Sequence, residues 1–76
     1  MKPDKTISIK GEVCPYTFVK SKLAIEDMKS GQILEIILDH PPACENVPKS
    51  MENEGNSVIS VSKINSTDWR ILIRRS

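Results

Sequence analysis

The sequence predicts a two-layer α/β sandwich with the element order βαβαββ, in which a four-stranded mixed sheet carries two helices on one face. Four short runs have strand patterning, and two runs of helical composition separate them. Crossovers between parallel strands are right-handed in nearly all proteins, so both helices fall on one face. A chain of 76 residues with one Phe, one Tyr and one Trp has a thin core. We therefore expect residues 1–76 to form a single domain without a deep substrate pocket.

The first half of the chain supplies a strand, a helix and a second strand. Residues 6–10 alternate polar and apolar side chains, which predicts a half-buried first strand. The first helix is predicted from Pro15 to Lys29, because this stretch has no further proline and no glycine, and Gly31 follows as a left-handed stop. The apolar run 33–38 is typical of a strand inside a sheet.

The second half supplies a helix and a hairpin. Residues 43–54 have helical composition, and Pro48 among them predicts that the regular helix begins near Asn46, with Asn46 as its cap. The runs 57–64 and 69–74 predict two strands joined by a four-residue polar turn.

Cys14, followed at once by Pro15, stands where the first strand pattern gives way to the first helix pattern. Proline suits the first helical position because it lacks an amide proton, which places Cys14 at the helix cap. A thiolate there faces the free amides of the first turn and the positive end of the helix dipole. Both favour the charged form, so the sequence predicts a lowered pKa and a nucleophilic sulfur at Cys14.

The segment Gly11–Val19, the loop Asp39–Ala43 and the predicted element order together resemble the TusA/SirA-like family of small sulfur carriers, over nearly the whole chain. The family motif is Gly-x-x-Cys-Pro-x-Pro, and Thr17 stands here in place of the second proline. The resemblance implies that Cys14 accepts sulfur as a persulfide from a donor protein and passes it to an acceptor protein, without metal or organic cofactor. Whether such a chain is also an enzyme depends on whether it releases sulfur from a small donor.

Departures from the family pattern carry further predictions. Thr17 restores an amide that proline lacks, so the Cys14 sulfur is predicted to accept hydrogen bonds from the amides of Tyr16 and Thr17. Glu12 opposes this effect if its carboxylate lies near the sulfur. Glu45 stands where family members often carry a basic residue, which argues against the tRNA-thiolation role known for one branch of the family. The Cys-Pro-Tyr-Thr form resembles the branch associated with membrane transporters of sulfur compounds, which implies thiosulfate or a related anion as the sulfur source.

Cys44 and His40 lie near the start of the predicted second helix, and two interpretations of Cys44 stay open. If the first two strands are parallel, segments 11–15 and 39–44 meet at one sheet edge. Cys44 either packs under the helix start or acts as a resolving thiol that attacks a persulfide on Cys14. His40 is the only candidate general base at neutral pH. No metal is predicted, because Cys14, His40 and Cys44 lack the close ligand pair and the fourth ligand of structural zinc sites.

The first helix carries two apolar stripes when its residues are placed at about 100° intervals. The stripe expected to face the sheet contains Phe18, Ser21, Ala24, Ile25 and Met28. The opposite stripe contains Tyr16, Val19 and Leu23. This second stripe is either covered by the second helix and by lysine stems, or it is an exposed patch beside Cys14 that docks a sulfur donor or acceptor.

Charge and composition bear on the compartment and on a rival function. The sequence shows no secretory signal and no apolar run near the ~20 residues that span a bilayer, so we expect a cytoplasmic protein with reduced cysteines. The βαβαββ order also resembles the C-terminal domain of a translation initiation factor. The alternative function is therefore a small RNA-binding module that uses Arg70 and Arg74 on the open sheet face. A net charge of +1 and few aromatic residues argue against this alternative.

Overall fold

A computed structural model gives the structure of the protein and describes residues 2–13 and 16–76. The elements follow in the predicted order βαβαββ. They are β1 (Lys5–Ser8), α1 (Tyr16–Glu26), β2 (Ile33–Leu38), α2 (Pro41–Asn53), β3 (Ser57–Lys63) and β4 (Trp69–Arg74).

The four strands form one mixed sheet in the order β1-β2-β4-β3. Strands β1 and β2 are parallel, while β4 pairs antiparallel with both β2 and β3. The apolar strand β2 thus has a neighbour on each side, as its continuous apolar run predicted. The two-layer α/β class with a four-stranded mixed sheet is confirmed.

The core lies between one face of the sheet and the two helices. The largest fully buried apolar side chains come from β2, β4 and α2, and they are Leu34, Ile36, Leu38, Ile71, Ile73, Val47 and Met51. Helix α1 adds Ala24 and Ile25 to the same cluster. Burying one large apolar side chain contributes about 1.5–3 kcal/mol, so this single cluster is what holds both helices against the sheet.

The start of α2 differs from its predicted position. The helix begins at Pro41 rather than near Asn46, with His40 in extended backbone as its N-cap (φ −106°, ψ 104°). Two successive prolines occupy the first helical positions, where no intrahelical amide bond is needed. His40 precedes Pro41 and has the extended backbone that proline favours in the residue before it, so the helix begins at the Pro-Pro pair.

Both helices also show how proline and glycine set their lengths. Pro48 lies inside α2, where its missing amide deprives the carbonyl of Cys44 of an intrahelical donor. Helix α1 ends at Glu26, three residues before the predicted Lys29, and Gly31 follows with a positive φ of 84°. In the described part of the chain no helix is long and apolar enough to span a membrane.

Candidate functional site

The backbone after β1 and the backbone after β2 lie side by side at one edge of the sheet. The amide of Gly11 donates to Oδ1 of Asp39 over 2.9 Å, and the amide of Ile9 donates to the carbonyl of Ile37 over 2.8 Å. Parallel pairing of β1 with β2 brings these carboxyl ends together. The predicted meeting of the two loops is confirmed for the described residues. The predictions for Cys14 and Pro15 themselves lie outside the described residues.

Segment 9–13, which leads into Cys14, makes a tight turn. The amide of Glu12 donates to the carbonyl of Ile9 over 3.1 Å, and Gly11 between them has φ +84°, a backbone conformation that glycine adopts without the penalty of a Cβ. The Glu12 carboxylate lies 2.8 Å from the ammonium of Lys20 on α1. The negative charge of Glu12 is thus balanced by a lysine.

The first turn of α1 uses the amides of Tyr16 and Thr17 in a way that the sequence did not predict. Both donate to the carbonyl of Val13, over 2.9 Å and 3.3 Å. The predicted bonds to the Cys14 sulfur are themselves outside the described residues. Thr17 is fully buried, and its backbone carbonyl accepts a 2.7 Å hydrogen bond from the hydroxyl of Ser21.

The outward side of α1 is an exposed apolar stripe that begins beside Cys14. Its members are Val13, Tyr16, Val19 and Leu23, with exposed fractions of 52, 61, 44 and 62 %. Neither α2 nor the lysine stems cover it, so the stripe is exposed, and docking of a sulfur donor or acceptor on it stays a prediction. The opposite side contacts the core as predicted through Ser21, Ala24 and Ile25, with Phe18 partly buried against it and Met28 buried just beyond the helix.

Cys44 is half-buried on the first turn of α2 and packs against the core. Its thiol donates to the carbonyl of His40 at 3.8 Å. Burial raises the pKa of the Cys44 thiol, because the thiolate is poorly solvated there. These contacts favour the interpretation of Cys44 as a packing residue. The resolving role stays a prediction, since it needs Cys14.

His40 serves α2 through its backbone, whose carbonyl accepts from the amide of Ala43 over 3.0 Å as well as from Cys44. Its side chain makes no capping hydrogen bond. Within residues 2–13 and 16–76, no three His, Cys, Asp or Glu side chains come together in an arrangement that could hold a metal ion.

An ion pair that the sequence did not reveal joins segment 9–13 to the turn between β3 and β4. Nζ of Lys10 lies 3.0 Å from Oδ2 of Asp68, a residue only 7 % exposed. Asn65 donates to the same carboxylate oxygen over 3.0 Å, and Thr67 donates to the other oxygen over 3.2 Å. The hydrogen bonds from Asn65 and Lys10 are the main causes that hold the pKa of Asp68 below its ordinary value. The Asn-x-x-Asp spacing marks the turn in the sequence, but nothing there indicates Lys10 as its partner.

The open face of the sheet does not have the character of an RNA-binding surface. Arg70, expected to project into solvent, lies 3.6 Å from the carboxylate of Glu35, which also accepts a hydrogen bond from Thr6. The indole of Trp69 packs against the core instead of lying on this face. Sheet-based RNA recognition relies on aromatic side chains that stack on bases. Arg74 is exposed as expected, but the ion pair of Arg70 and the core packing of Trp69 argue against the RNA-binding alternative.

Two solved structures share the fold. A crystal structure of a SirA-like protein from Desulfitobacterium hafniense superposes with a TM-score of 0.81 at 22 % identity, covering 92 % of this chain and 95 % of that one. The solution structure of HP1264 from Helicobacter pylori gives a TM-score of 0.65 at 18 % identity, covering 93 % and 96 %. At these identities the likeness concerns the architecture alone.

Sequence comparison identifies the family. The family model described as sulfurtransferase TusA matches residues 5–75. A relative from Archaeoglobus fulgidus is 50 % identical over 72 residues, covering 95 % of this chain and 82 % of the relative. A relative from Thermotoga maritima is 36 % identical over 70 residues, covering 92 % and 89 %. Both are provisionally named as sulfur carrier proteins. The chain therefore belongs to the TusA sulfurtransferase family, as the sequence resemblance predicted.

Proposed function

We propose that this chain is a sulfur carrier in which residues 1–76 act as one domain and Cys14 bears the transferred sulfur as a persulfide. The observation that carries the proposal is the exposure of both described neighbours of the Cys14-Pro15 motif, Val13 at 52 % and Tyr16 at 61 %. Membership of the TusA family and relatives provisionally named as sulfur carrier proteins support the same role. A transferred sulfur atom has to be reached by two successive partners, and a motif with exposed flanks suits that requirement.

The proposed transfer needs neither an oxidant nor a reductant. The Cys14 thiolate attacks the outer sulfur of a donor persulfide, a new S–S bond forms on Cys14, and the donor leaves as a thiolate with the electron pair of the broken S–S bond. With thiosulfate as the donor, the same attack on the outer sulfur releases sulfite. An acceptor thiolate then attacks the outer sulfur on Cys14 and restores the Cys14 thiolate.

Donor and acceptor proteins are the proposed partners, and the apolar stripe is their proposed docking surface. It starts at Val13, one residue before Cys14, and continues along α1 to Leu23. Large apolar side chains grouped at the surface are typical of protein contact sites. Lys20 and Lys22 on the same helix are paired with Glu12 and Glu54, so the apolar side chains rather than net charge are expected to supply the contact.

The sulfur source that we propose is thiosulfate or a related anion, used in the cytoplasm together with a membrane transporter of sulfur compounds. The Cys-Pro-Tyr-Thr motif and Glu45 in place of a base support this branch of the family. Turnover of thiosulfate by the chain alone would make it an enzyme as well as a carrier. A role in which thiosulfate only loads Cys14 once would leave it a carrier.

The experiment is sulfur loading followed by intact-protein mass spectrometry. Wild type, Cys14→Ser and Cys44→Ser are incubated separately with glutathione persulfide and with thiosulfate. We expect wild type and Cys44→Ser to gain one sulfur atom, and Cys14→Ser to gain none. No gain in wild type with either donor contradicts the carrier function, and salt-sensitive RNA binding in the same preparation would support the RNA-binding alternative instead.

The same experiment tests the resolving role of Cys44. A resolving thiol would attack the persulfide and leave an intramolecular disulfide, with release of hydrogen sulfide. Loaded wild type would then lose two hydrogen atoms relative to the reduced chain, whereas Cys44→Ser would keep its added sulfur. A persulfide of equal lifetime in wild type and Cys44→Ser removes this role.

A further inference from the structure

Every residue of segment 9–13, which leads into Cys14, makes a hydrogen bond or an ion pair with a residue outside the segment. Ile9 bonds to β2, Gly11 to Asp39, Glu12 to Lys20 on α1, and Val13 to the first turn of α1. Lys10 contributes the remaining contact, to Asp68. Backbone hydrogen bonds restrain Ile9, Gly11 and Val13, and side-chain ion pairs restrain Lys10 and Glu12. A segment restrained in this way suits transfer between two partners, which requires a fixed position of the transferred group.

The Lys10–Asp68 contact differs from the others because it comes from the far end of the sequence. Asp68 is buried to 7 % exposure in the turn between β3 and β4, whereas the Lys10 side chain is 48 % exposed. Asn65 and Thr67 hold the carboxylate in place through its two oxygens. The carboxylate is therefore the fixed partner, and the lysine is the side chain that it restrains.

An ordinary surface ion pair contributes little to stability, and Lys5 with Asp27 provides such a pair, with a separation of 3.6 Å and an aspartate 82 % exposed. The Lys10–Asp68 pair is closer, at 3.0 Å, and its carboxylate is nearly buried. A buried carboxylate with several donors is a rigid anchor. Outside its own turn, the described side-chain partner of Asp68 is Lys10, which lies four positions before Cys14.

We propose that Lys10 and Asp68 form a positioning pair that fixes segment 9–13 and thereby the placement of Cys14, which makes the β3–β4 turn part of the transfer site. This inference rests on the proposed function of Cys14. Neither residue touches the transferred sulfur in the proposed reaction. Both act through the backbone between Lys10 and Cys14.

A positioning role and a direct electrostatic role predict opposite shifts of the Cys14 thiol pKa in Asp68→Asn. If the two charges acted on Cys14 through space, Lys10→Met would raise the pKa of the Cys14 thiol and Asp68→Asn would lower it. If they act as one anchor, both substitutions release the same segment. Both are then expected to raise the thiol pKa, because the stabilisation of the thiolate that the sequence predicts at the start of α1 is weakened in either case.

The experiment measures the rate of Cys14 alkylation by iodoacetamide as a function of pH, in a Cys44→Ser background so that a single thiol reports. The variants are Lys10→Met, Asp68→Asn, their combination and Lys10→Arg. Lys5→Met is the matched control, since it removes an exposed ion pair from the same strand region. Sulfur loading from glutathione persulfide is measured on the same proteins.

We expect Lys10→Met and Asp68→Asn each to raise the apparent pKa of the Cys14 thiol by about half a unit, and the combination to shift it no further than one of them alone. Lys10→Arg should stay close to wild type, and Lys5→Met should not shift the profile. A lowered thiol pKa in Asp68→Asn, additive shifts in the combination, or an unchanged profile in both single variants overturns the inference. Failure of wild type to gain sulfur would contradict the proposed function instead, and the alkylation profiles would still report on positioning.

Discussion

The segment before Cys14 and the turn before Cys44 lie at the same edge of the sheet, yet the two connections differ in length and in the exposure of their described residues. After β1, the chain needs a longer turn with a left-handed glycine, and the residues around the Cys14-Pro15 motif are exposed. After β2, a short extended link and two prolines begin α2 at once, which draws Cys44 against the core. Lying at this edge of the sheet therefore does not by itself leave a cysteine exposed, as Cys44 shows.

The same comparison extends to charge. Burial raises the pKa of the Cys44 thiol, whereas Lys20 balances Glu12, the carboxylate closest in sequence to Cys14. Burial thus disfavours a thiolate at Cys44, whereas the carboxylate nearest in sequence to Cys14 has its charge balanced. The two regions can be tested against each other directly.

The largest expected effect is the difference in reactivity between the two cysteines. In wild type at pH 7, we expect iodoacetamide to modify Cys14 about a hundredfold faster than Cys44, which corresponds to roughly two units of difference in thiol pKa. Peptide mass spectrometry over a time course measures both rates in one sample. Equal rates, or faster modification of Cys44, would contradict the contrast between the two connections.

A second prediction concerns the proline inside α2. Replacing Pro48 by Ala restores an amide to the carbonyl of Cys44, so we expect the free energy of unfolding to rise by about 2 kcal/mol in urea titrations. The reactivity of Cys14 should not change, since Pro48 lies in the other region. A loss of stability would show that the packing of the half-buried Pro48 ring outweighs the missing hydrogen bond.

Two glycines offer a matched pair for the region before Cys14. Gly11 and Gly31 both have φ +84°, and an added Cβ would meet nothing within 4 Å at either position. Gly11→Ala and Gly31→Ala should therefore each cost about 1 kcal/mol of unfolding free energy. Only Gly11→Ala should also change the pH profile of Cys14 alkylation. Identical pH profiles in the two variants would contradict the expectation that Gly11 helps to position Cys14.

The smallest expected effect is on the acid dependence of stability. The pKa of Asp68 is lowered in the folded chain from an ordinary value of 3.8, so its contribution is present above that value and is lost as the pH falls through the lower folded pKa. Asp68→Asn should lose stability at neutral pH and show a shallower decline below about pH 4. Asp27→Asn, at a carboxylate 82 % exposed, is the control. Parallel acid limbs for wild type and Asp68→Asn would contradict the expectation.

Local sequence patterns determined most of the fold. The alternation of the first strand, the apolar run 33–38 and the runs 57–64 and 69–74 predicted the strands, and β2 has its predicted bounds, Ile33–Leu38. These patterns succeed because the period of apolar residues directly reflects which side chains face the core. The segment Gly11–Val19 with its Cys-Pro motif, together with the loop Asp39–Ala43, likewise indicated the family from the sequence alone. The predicted start of α2 near Asn46 is wrong, because the Pro41-Pro42 pair can occupy the first helical positions and Pro48 is accommodated inside the helix.

Only the tertiary structure decided which distant residues support the segment before Cys14. Asp39 takes the Gly11 amide, and Asp68 takes the Lys10 ammonium, although 28 and 58 positions separate the partners in the sequence. It also decided that the stripe from Val13 to Leu23 is exposed and that the Thr17 side chain is buried. Such contacts depend on how the sheet brings strand ends together and where the helices lie on it. No periodicity within a short stretch of sequence contains that information, because the residues involved become neighbours only after the sheet has formed.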